Sequence, residues 1–244
     1  MKRSVLVRGA AGLLLVTPLA VHWTACGLRS IILPFSSERH RKEYVSWKDV
    51  LSSLCDRTVA VVGNAASLSG TTLGKSIDSN DVVFRFNSGA IVQERTARGA
   101  RTDFAVLSPP HKWQHVIKQL PSSVNILHVT NSARGNSTYI KTPKKLNDAL
   151  WKRMGRKPSS GAMTVNFILS SSCPVKQLTV FGFDWKRTPS FYENMQAPLT
   201  PNNEKHNYAN EEAWFKKLCK AGKLQIVSSI YGLGHGDVRD TSCT

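Results

Sequence analysis

VAVVGNAASLSGTTLGKSIDSNDVVFRFNSG, residues 59–89, opens on an apolar run that stops at Gly63-Asn64 and gives way to small polar residues. A second run, DVVFRF at 81–86, ends in the same way at Asn87-Ser88-Gly89. Apolar runs of this length, bounded by Gly and Asn, read as strands covered on both faces, as in a parallel sheet. The turns after them read either as plain strand ends or as a nucleotide or sugar site. Open α/β sheets bind ligands at the carboxyl ends of strands, near a switch point. The stretch is neither a P-loop nor a dinucleotide fingerprint, since G-x-x-x-x-G-K-[ST] and G-x-G-x-x-G are both missing from it.

The rest of the chain repeats the pattern. Further strands are predicted at TDFAVL (102–107), VNILHVT (124–130), QLTVFGF (177–183) and LQIVSS (224–229), beside TVAVVG at 58–63. Between them KTPKKLNDALWKRMG and GAMTVNFILS are long enough for helices. A further helix is expected through EEAWFKKLCKAG, with Asn210 as its cap, Glu211 and Glu212 in its first turn and Gly222 ending it. Strands alternating with helices predict a single α/β domain of helix, sheet and helix.

The chain has 244 residues, with 33 Lys+Arg against 16 Asp+Glu and a net charge of +17. No zinc-finger spacing, RNP-like aromatic run or heptad accompanies this excess, and the basic residues are scattered. No nucleic-acid partner is expected; the charge suits an anionic small substrate or a membrane surface. Lys2, Arg3 and Arg8 precede twenty uncharged residues, 9–28, and Arg29 closes them. Twenty residues can span a bilayer as a helix, and the basic flank predicts a cytoplasmic N-terminus. The expected layout is a cytoplasmic tail at 1–8, a signal-anchor at 9–28, a stem at 29–54 and the folded domain at 55–244. A cleaved signal peptide is the alternative at 9–28. Of the five cysteines, Cys26 lies in that segment, and Cys55, Cys173, Cys219 and Cys243 allow three pairings. No C-x-x-C pair exists to suggest zinc, and Asn136-Ser137-Thr138 is a glycosylation sequon.

Four segments in order carry a resemblance. They are V-V-G-N with I-D-x-x-D-x-V-x-R-x-N at 77–87; P-S-S-G at 158–161, followed by an apolar helix, Cys173 and a strand ending in F-G-F; Ser190-Phe191-Tyr192-Glu193; and HNYANE from His206 to Glu211. Together they resemble the large, small, third and H-x4-E motifs of the eukaryotic-type sialyltransferases, glycosyltransferase family 29. The resemblance covers about residues 55–230, and an anchor followed by a stem is that family's layout. It implies a variant GT-A-type, Rossmann-like fold in the Golgi lumen on a type II anchor. It also implies transfer of sialic acid from CMP-sialic acid to a glycan hydroxyl, with inversion, in one displacement and without a metal. The sequence has no D-x-D motif, and no metal or cofactor is expected.

On this resemblance Asn64 and Asn87 contact the CMP, and Ser159, Ser160 and Gly161 hold the donor at a helix N-terminus, where free N–H groups attract anions. Gly182 lies near the nucleotide, and Tyr192, Lys186 or Arg187 helps to neutralise the phosphate. His206 is the expected general base, an imidazole able to take the acceptor proton near neutrality. Glu211, five residues on, reads as structural, because five residues put it about 140° around a helix from His206. The family's large-motif cysteine is replaced here by Val59, while its partner is present as Cys173; Cys55, four residues upstream, is expected to take its place in a Cys55–Cys173 disulfide. Ser190 stands where the family's third motif begins with His or Tyr. Two other readings keep the fold: one uses another CMP-sugar such as CMP-Kdo, and the other is a CMP- or glycan-binding module without turnover.

Overall fold

The computed structural model describes residues 46–91, 94–129, 139–185, 190, 206–228, 239–240 and 243. The expected tail and membrane segment, residues 29–45 of the stem, the sequon, Lys186, Arg187 and Tyr192 lie outside the described residues. None of the described helices is long and apolar enough to cross a membrane.

All six predicted strands form: β1 (Thr58–Val62), β2 (Val82–Phe86), β3 (Phe104–Val106), β4 (Asn125–His128), β6 (Gln177–Phe181) and β7 (Gln225–Ser228). Two two-residue strands, β5 (Ile140–Lys141) and β8 (Arg239–Asp240), complete the sheet at its edges. The order is β5-β4-β3-β2-β1-β6-β7-β8, parallel throughout except for β8. From β1 the chain therefore builds outward in one direction through β5, then returns to the other side of β1 with β6. The switch point lies between β1 and β6, where Gly63 and Gly182 follow their strands.

Side chains alternate across the strands and divide the core in two. Val59 and Val61, Phe84 and Phe86, Phe104 and Val106, and Leu178 and Val180 face the larger core. They meet α1 (Trp47–Ser53), α5 (Lys144–Met154), α6 (Ser160–Leu169) and α7 (Tyr208–Lys220). Ala60, Val62, Val83 and Phe181 face the other side, against Leu73 and the α2 helix (Gly74–Asp78) with its Ile77. Ala105 continues that face toward α4 (Gln114–Ile117) and its Val116. The expected three layers are present.

The packed unit begins before residue 55. Ser46 and Asp49 form a reciprocal capping box at the start of α1, and Val50, Leu51 and Leu54 are buried in the larger core. Cys55, just after this helix, is bonded to Cys173 with the Cα atoms 5.2 Å apart. A second disulfide joins Cys219 to Cys243. These are one of the three pairings that the sequence leaves open.

Candidate active site at the sheet switch point

Four glycine positions set the backbone of a cleft at the carboxyl ends of β1, β2 and β6. The Gly63 N–H donates to the Phe181 carbonyl at 2.7 Å, which brings the two strand ends together. A Cβ on Gly63 would run into the Gly182 carbonyl, and Gly182 itself has φ +64°. On Gly89 a Cβ would occupy the place of Asn64 Oδ1. On Gly161 it would come within 2.5 Å of the Phe183 ring.

Seven of the eight site residues expected from the sequence line this one cleft of about 270 Å³: Asn64, Asn87, Ser159, Ser160, Gly161, Gly182 and His206. Tyr192, the eighth, is among the residues not described. The cleft is also lined by Phe183, Asp184, Trp185, Ser190 and Tyr208.

Both asparagines are tied to the protein. Asn64 Nδ2 donates to the Phe86 carbonyl at 3.1 Å, bridging β1 and β2 behind the cleft. Asn87 sits in the left-handed region at φ 48°, which Asn tolerates better than most residues. Its Oδ1 accepts from the Ser108 N–H at 3.2 Å, which leaves Nδ2 as the donor end that meets no acceptor among the described residues. Asn64 therefore has a structural duty that its strand-end position does not reveal.

Ser159 caps α6, its hydroxyl accepting from the Ala162 N–H at 3.1 Å. Its own N–H and O–H both donate to Glu211, at 2.6 and 2.7 Å. These donors are spent on the protein. Among the described residues the next two N–H groups, of Ser160 and Gly161, meet no acceptor, as geometry requires in the first turn of a helix. The donor end of α6 thus begins at Ser160 rather than at Ser159.

Glu211 is buried, 2% exposed, and burial raises its carboxyl pKa while the two Ser159 donors pull it back. It lies in the first turn of α7, whose cap is Asn207 and not Asn210. Asn207 Oδ1 accepts from the Asn210 N–H at 3.1 Å, and the Asn210 side chain donates instead to the Met154 carbonyl at 3.0 Å. The helix starts one turn earlier than its charge pattern suggests, because Asn207 offers the free side-chain oxygen at the right offset.

His206 precedes that cap, in the loop as expected. Its Nδ1 lies 2.7 Å from the Lys157 carbonyl. A carbonyl only accepts, so Nδ1 carries the proton, and in the neutral tautomer Nε2 is the basic nitrogen. Tyr208 meets the ring edge-on at 5.6 Å. Ser190, opening the third motif, pairs with Ala65 beside Asn64 in an isolated antiparallel bridge.

Two buried arginines support the cleft and were not legible as site residues. Arg85, in the middle of β2, donates to the Arg101 and Arg98 carbonyls at 2.8 and 2.6 Å, and burial lowers its pKa to about 10. Arg98, in α3 (Arg95–Arg98), is 2% exposed and donates to Ser69 Oγ at 3.0 Å and to the Ala65 carbonyl at 3.4 Å. It holds the 65–69 turn, which directly follows Asn64 and meets Ser190 at Ala65. Phe183 closes the floor, against Phe215 at 5.2 Å and Phe86 at 6.4 Å between ring centres. Among the described residues no three His, Cys, Asp or Glu side chains come together as a metal site.

Residues 42–153 match the model for glycosyltransferase family 29 (sialyltransferase). The matched segment runs from ahead of α1 to the end of α5 and includes Asn64 and Asn87; Ser159 and His206 lie beyond it. A type 2 lactosamine alpha-2,3-sialyltransferase of Rattus norvegicus is 29% identical over 249 residues, covering 80% of this chain and 74% of the relative. The Pan troglodytes protein of the same name is 37% identical over 73 residues, covering 30% of this chain and 22% of the relative. A CMP-N-acetylneuraminate-beta-1,4-galactoside alpha-2,3-sialyltransferase of Rattus norvegicus is 24% identical, covering 73% of this chain and 59% of the relative. The chain thus spans less than two thirds of two of these three relatives. Two crystal structures of a mammalian sialyltransferase share the fold of this chain, with TM-scores of 0.55 and 0.51. Each is 20% identical, over 71% of this chain and 70% of the other.

Proposed function

We propose that this chain transfers sialic acid from CMP-sialic acid to a glycan hydroxyl. The observation that carries the reading is the convergence of seven expected residues, drawn from positions 64 to 206, on one cleft at the switch point. The Ser160 and Gly161 N–H groups, at the positive end of the α6 dipole, receive the donor's anionic group. Asn87 Nδ2 donates to the nucleotide. His206 Nε2 takes the proton of the acceptor hydroxyl as its oxygen attacks the anomeric carbon from the face opposite the phosphate. The bond to the CMP phosphate oxygen breaks, and CMP leaves with the pair. The reaction runs with inversion and draws on protein donors, with no metal, to stabilise the departing phosphate. Tyr192 belongs to the same phosphate side of the site.

The same reading makes the protein a type II Golgi membrane protein, with residues 9–28 as its anchor and the folded domain luminal. Support comes from the basic flank at Lys2, Arg3 and Arg8. It also comes from two disulfides, which persist in an oxidising compartment.

One observation favours a second reading, a CMP- or glycan-binding module without turnover: Ser190, which lacks the ionisable or aromatic group of the third motif, lines the cleft. The test incubates the full chain with labelled CMP-sialic acid, or with CMP-Kdo, and galactose-terminated acceptors, beside His206→Ala. Transfer from CMP-sialic acid that His206→Ala abolishes supports the enzyme. A rise in melting temperature with CMP but no turnover of either donor supports the binding module. Transfer from CMP-Kdo alone changes the donor and keeps the mechanism.

A further inference from the structure

Among the described residues Trp151 is the large apolar side chain that packing leaves exposed, at 40%. It lies in the last turn of α5, whose Asn147, Leu150 and Met154 are turned inward and buried. The outward residues are mostly cationic. Lys144, Lys145, Lys152 and Arg153 are exposed, and Asp148, the one acid of the helix, is held by Lys144 at 2.6 Å. Lys145 and Lys152 are two turns apart, so they lie in line about 10 Å from each other, with Trp151 and Arg153 on either side of Lys152. Lys152 and Arg153 suit the negative end of the helix dipole. Lys145, in the first turn, opposes the positive end, so helix stability does not account for the stripe.

Two hydrogen bonds fasten this face to the cleft. Gly155, in the left-handed region, ends α5 with its N–H on the Trp151 carbonyl at 3.0 Å. The Met154 carbonyl then accepts from Asn210 at 3.0 Å, and the carbonyl of Lys157, whose side chain is exposed, holds His206 at 2.7 Å. A glycan chain whose hydroxyl lies at His206 can therefore run past Lys157 onto Lys152 and Trp151. Its pyranose rings offer C–H faces to an exposed indole, and sulfates or carboxylates on it complement the row of cations. A bilayer suits the face less well. An interfacial helix buries an apolar face in lipid, whereas α5 commits Leu150 and Met154 to the larger core.

We propose that the outer face of α5 docks an acidic glycan chain attached to the acceptor sugar. Trp151 stacks on a ring of that chain, and Lys145, Lys152, Arg153 and Lys157 meet its sulfates or carboxylates. The protein then selects acidic chains at a distance from the transferred bond. That selection rests on the sialyltransferase reading, whereas the docking rests on α5 alone.

The test labels the full chain with fluorotryptophan and follows its fluorine spectrum, at physiological ionic strength, as a chondroitin sulfate octasaccharide is added. Trp151→Phe assigns the resonance. A saturable shift of Trp151 is expected. Lys145→Glu with Lys152→Glu should weaken binding at least about fivefold, as the loss of two exposed ion pairs would. Trp151→Ala, read by calorimetry, should weaken it at least about threefold. Lys220→Glu with Lys223→Glu, equally exposed at and just past the far end of α7, should change it by less than about twofold. A Trp151 resonance that ignores the octasaccharide, or that answers only to phosphatidylserine vesicles, overturns the docking surface. So does an affinity that falls equally with either lysine pair. In parallel, a sulfated galactose-terminated tetrasaccharide is expected to show a KM at least about fivefold below that of its neutral parent, and Lys145→Glu with Lys152→Glu to erase the difference. If the octasaccharide moves Trp151 but neither acceptor is sialylated, the docking surface stands and the sialyltransferase reading fails. If both acceptors are sialylated with equal KM, that reading stands and the selection is overturned.

Discussion

Ser159→Ala is the sharpest probe of how the cleft is held. The hydroxyl has two partners, accepting from the Ala162 N–H at 3.1 Å and donating to Glu211 at 2.7 Å. Its loss as a cap costs about 1 kcal/mol. It also leaves one oxygen of a buried carboxylate without its donor, which costs about 1–3 kcal/mol more. The single variant should therefore lose about 3 kcal/mol. In a Glu211→Gln background the buried charge is gone, and only the cap is lost, about 1 kcal/mol. The coupling between the two sites is then about 2 kcal/mol, well above the scatter expected for independent positions. Urea unfolding of the four proteins measures it. The pH dependence gives a second check. The folded-state pKa of Glu211 is raised by burial, so its contribution to stability is full below the unfolded value of about 4.5 and declines as pH rises through the folded value. Ser159→Ala removes a donor that opposes the rise, so its penalty should grow between pH 4.5 and pH 7; Glu211→Gln should lose this slope. If Ser159→Ala costs the same, within about 0.5 kcal/mol, in both backgrounds, the clamp does not exist as described.

Other outcomes follow from the same geometry. His206→Ala should cut transfer by about 10²–10⁴-fold, the usual worth of a general base, with CMP still raising the melting temperature as it does in the parent. Gly89→Ala drives a methyl into the space of Asn64 Oδ1 and should cost about 1–3 kcal/mol in denaturation while weakening CMP binding, although no donor contact is mutated. Arg98→Met frees the 65–69 turn from its bonds to Ala65 and Ser69, and steady-state kinetics should show a higher donor KM with a smaller change in kcat. His128, depressed to about 4, binds no proton in the folded state across a range where the unfolded chain does. Stability should therefore fall as pH drops from about 6.5 toward about 4, and His128→Asn should flatten that part of the curve.

The strands were readable because parallel strands buried on both faces show unbroken apolar runs, and all six such runs pair in the sheet. The edges were not, since β5 and β8 are two residues each and carry no period to detect. Asn64, Asn87 and His206 were readable as positions in a motif, yet their bonds were not. The Phe86 and Lys157 carbonyls that orient Asn64 and His206 leave no trace in side-chain identity. Glu211 was read as structural from its spacing, but its bond to Ser159, 52 residues upstream, was not legible, since no local pattern joins them. Arg85 and Arg98 mislead for a related reason. An arginine in sequence reads as surface, and backbone carbonyls, the Ser69 hydroxyl and the carboxylates of Glu94 and Asp78 together make burial tolerable.

The switch point also has a consequence for the order in which the protein is made. β1 pairs with β6 through Thr58 and Gln177, 177 − 58 = 119 residues apart. A nascent chain that has emerged only through α5 can form β1 to β5 and bury much of its larger core. It still lacks α6, Gly182 and His206, and so has one wall of a cleft and no floor. Until β6 arrives, β1 presents an open edge, the kind of surface that attracts foreign strands. Cys55 stands three residues before β1 and Cys173 four before β6, so their bond fastens the last-made half of the site to the first at the base of the pairing that creates it.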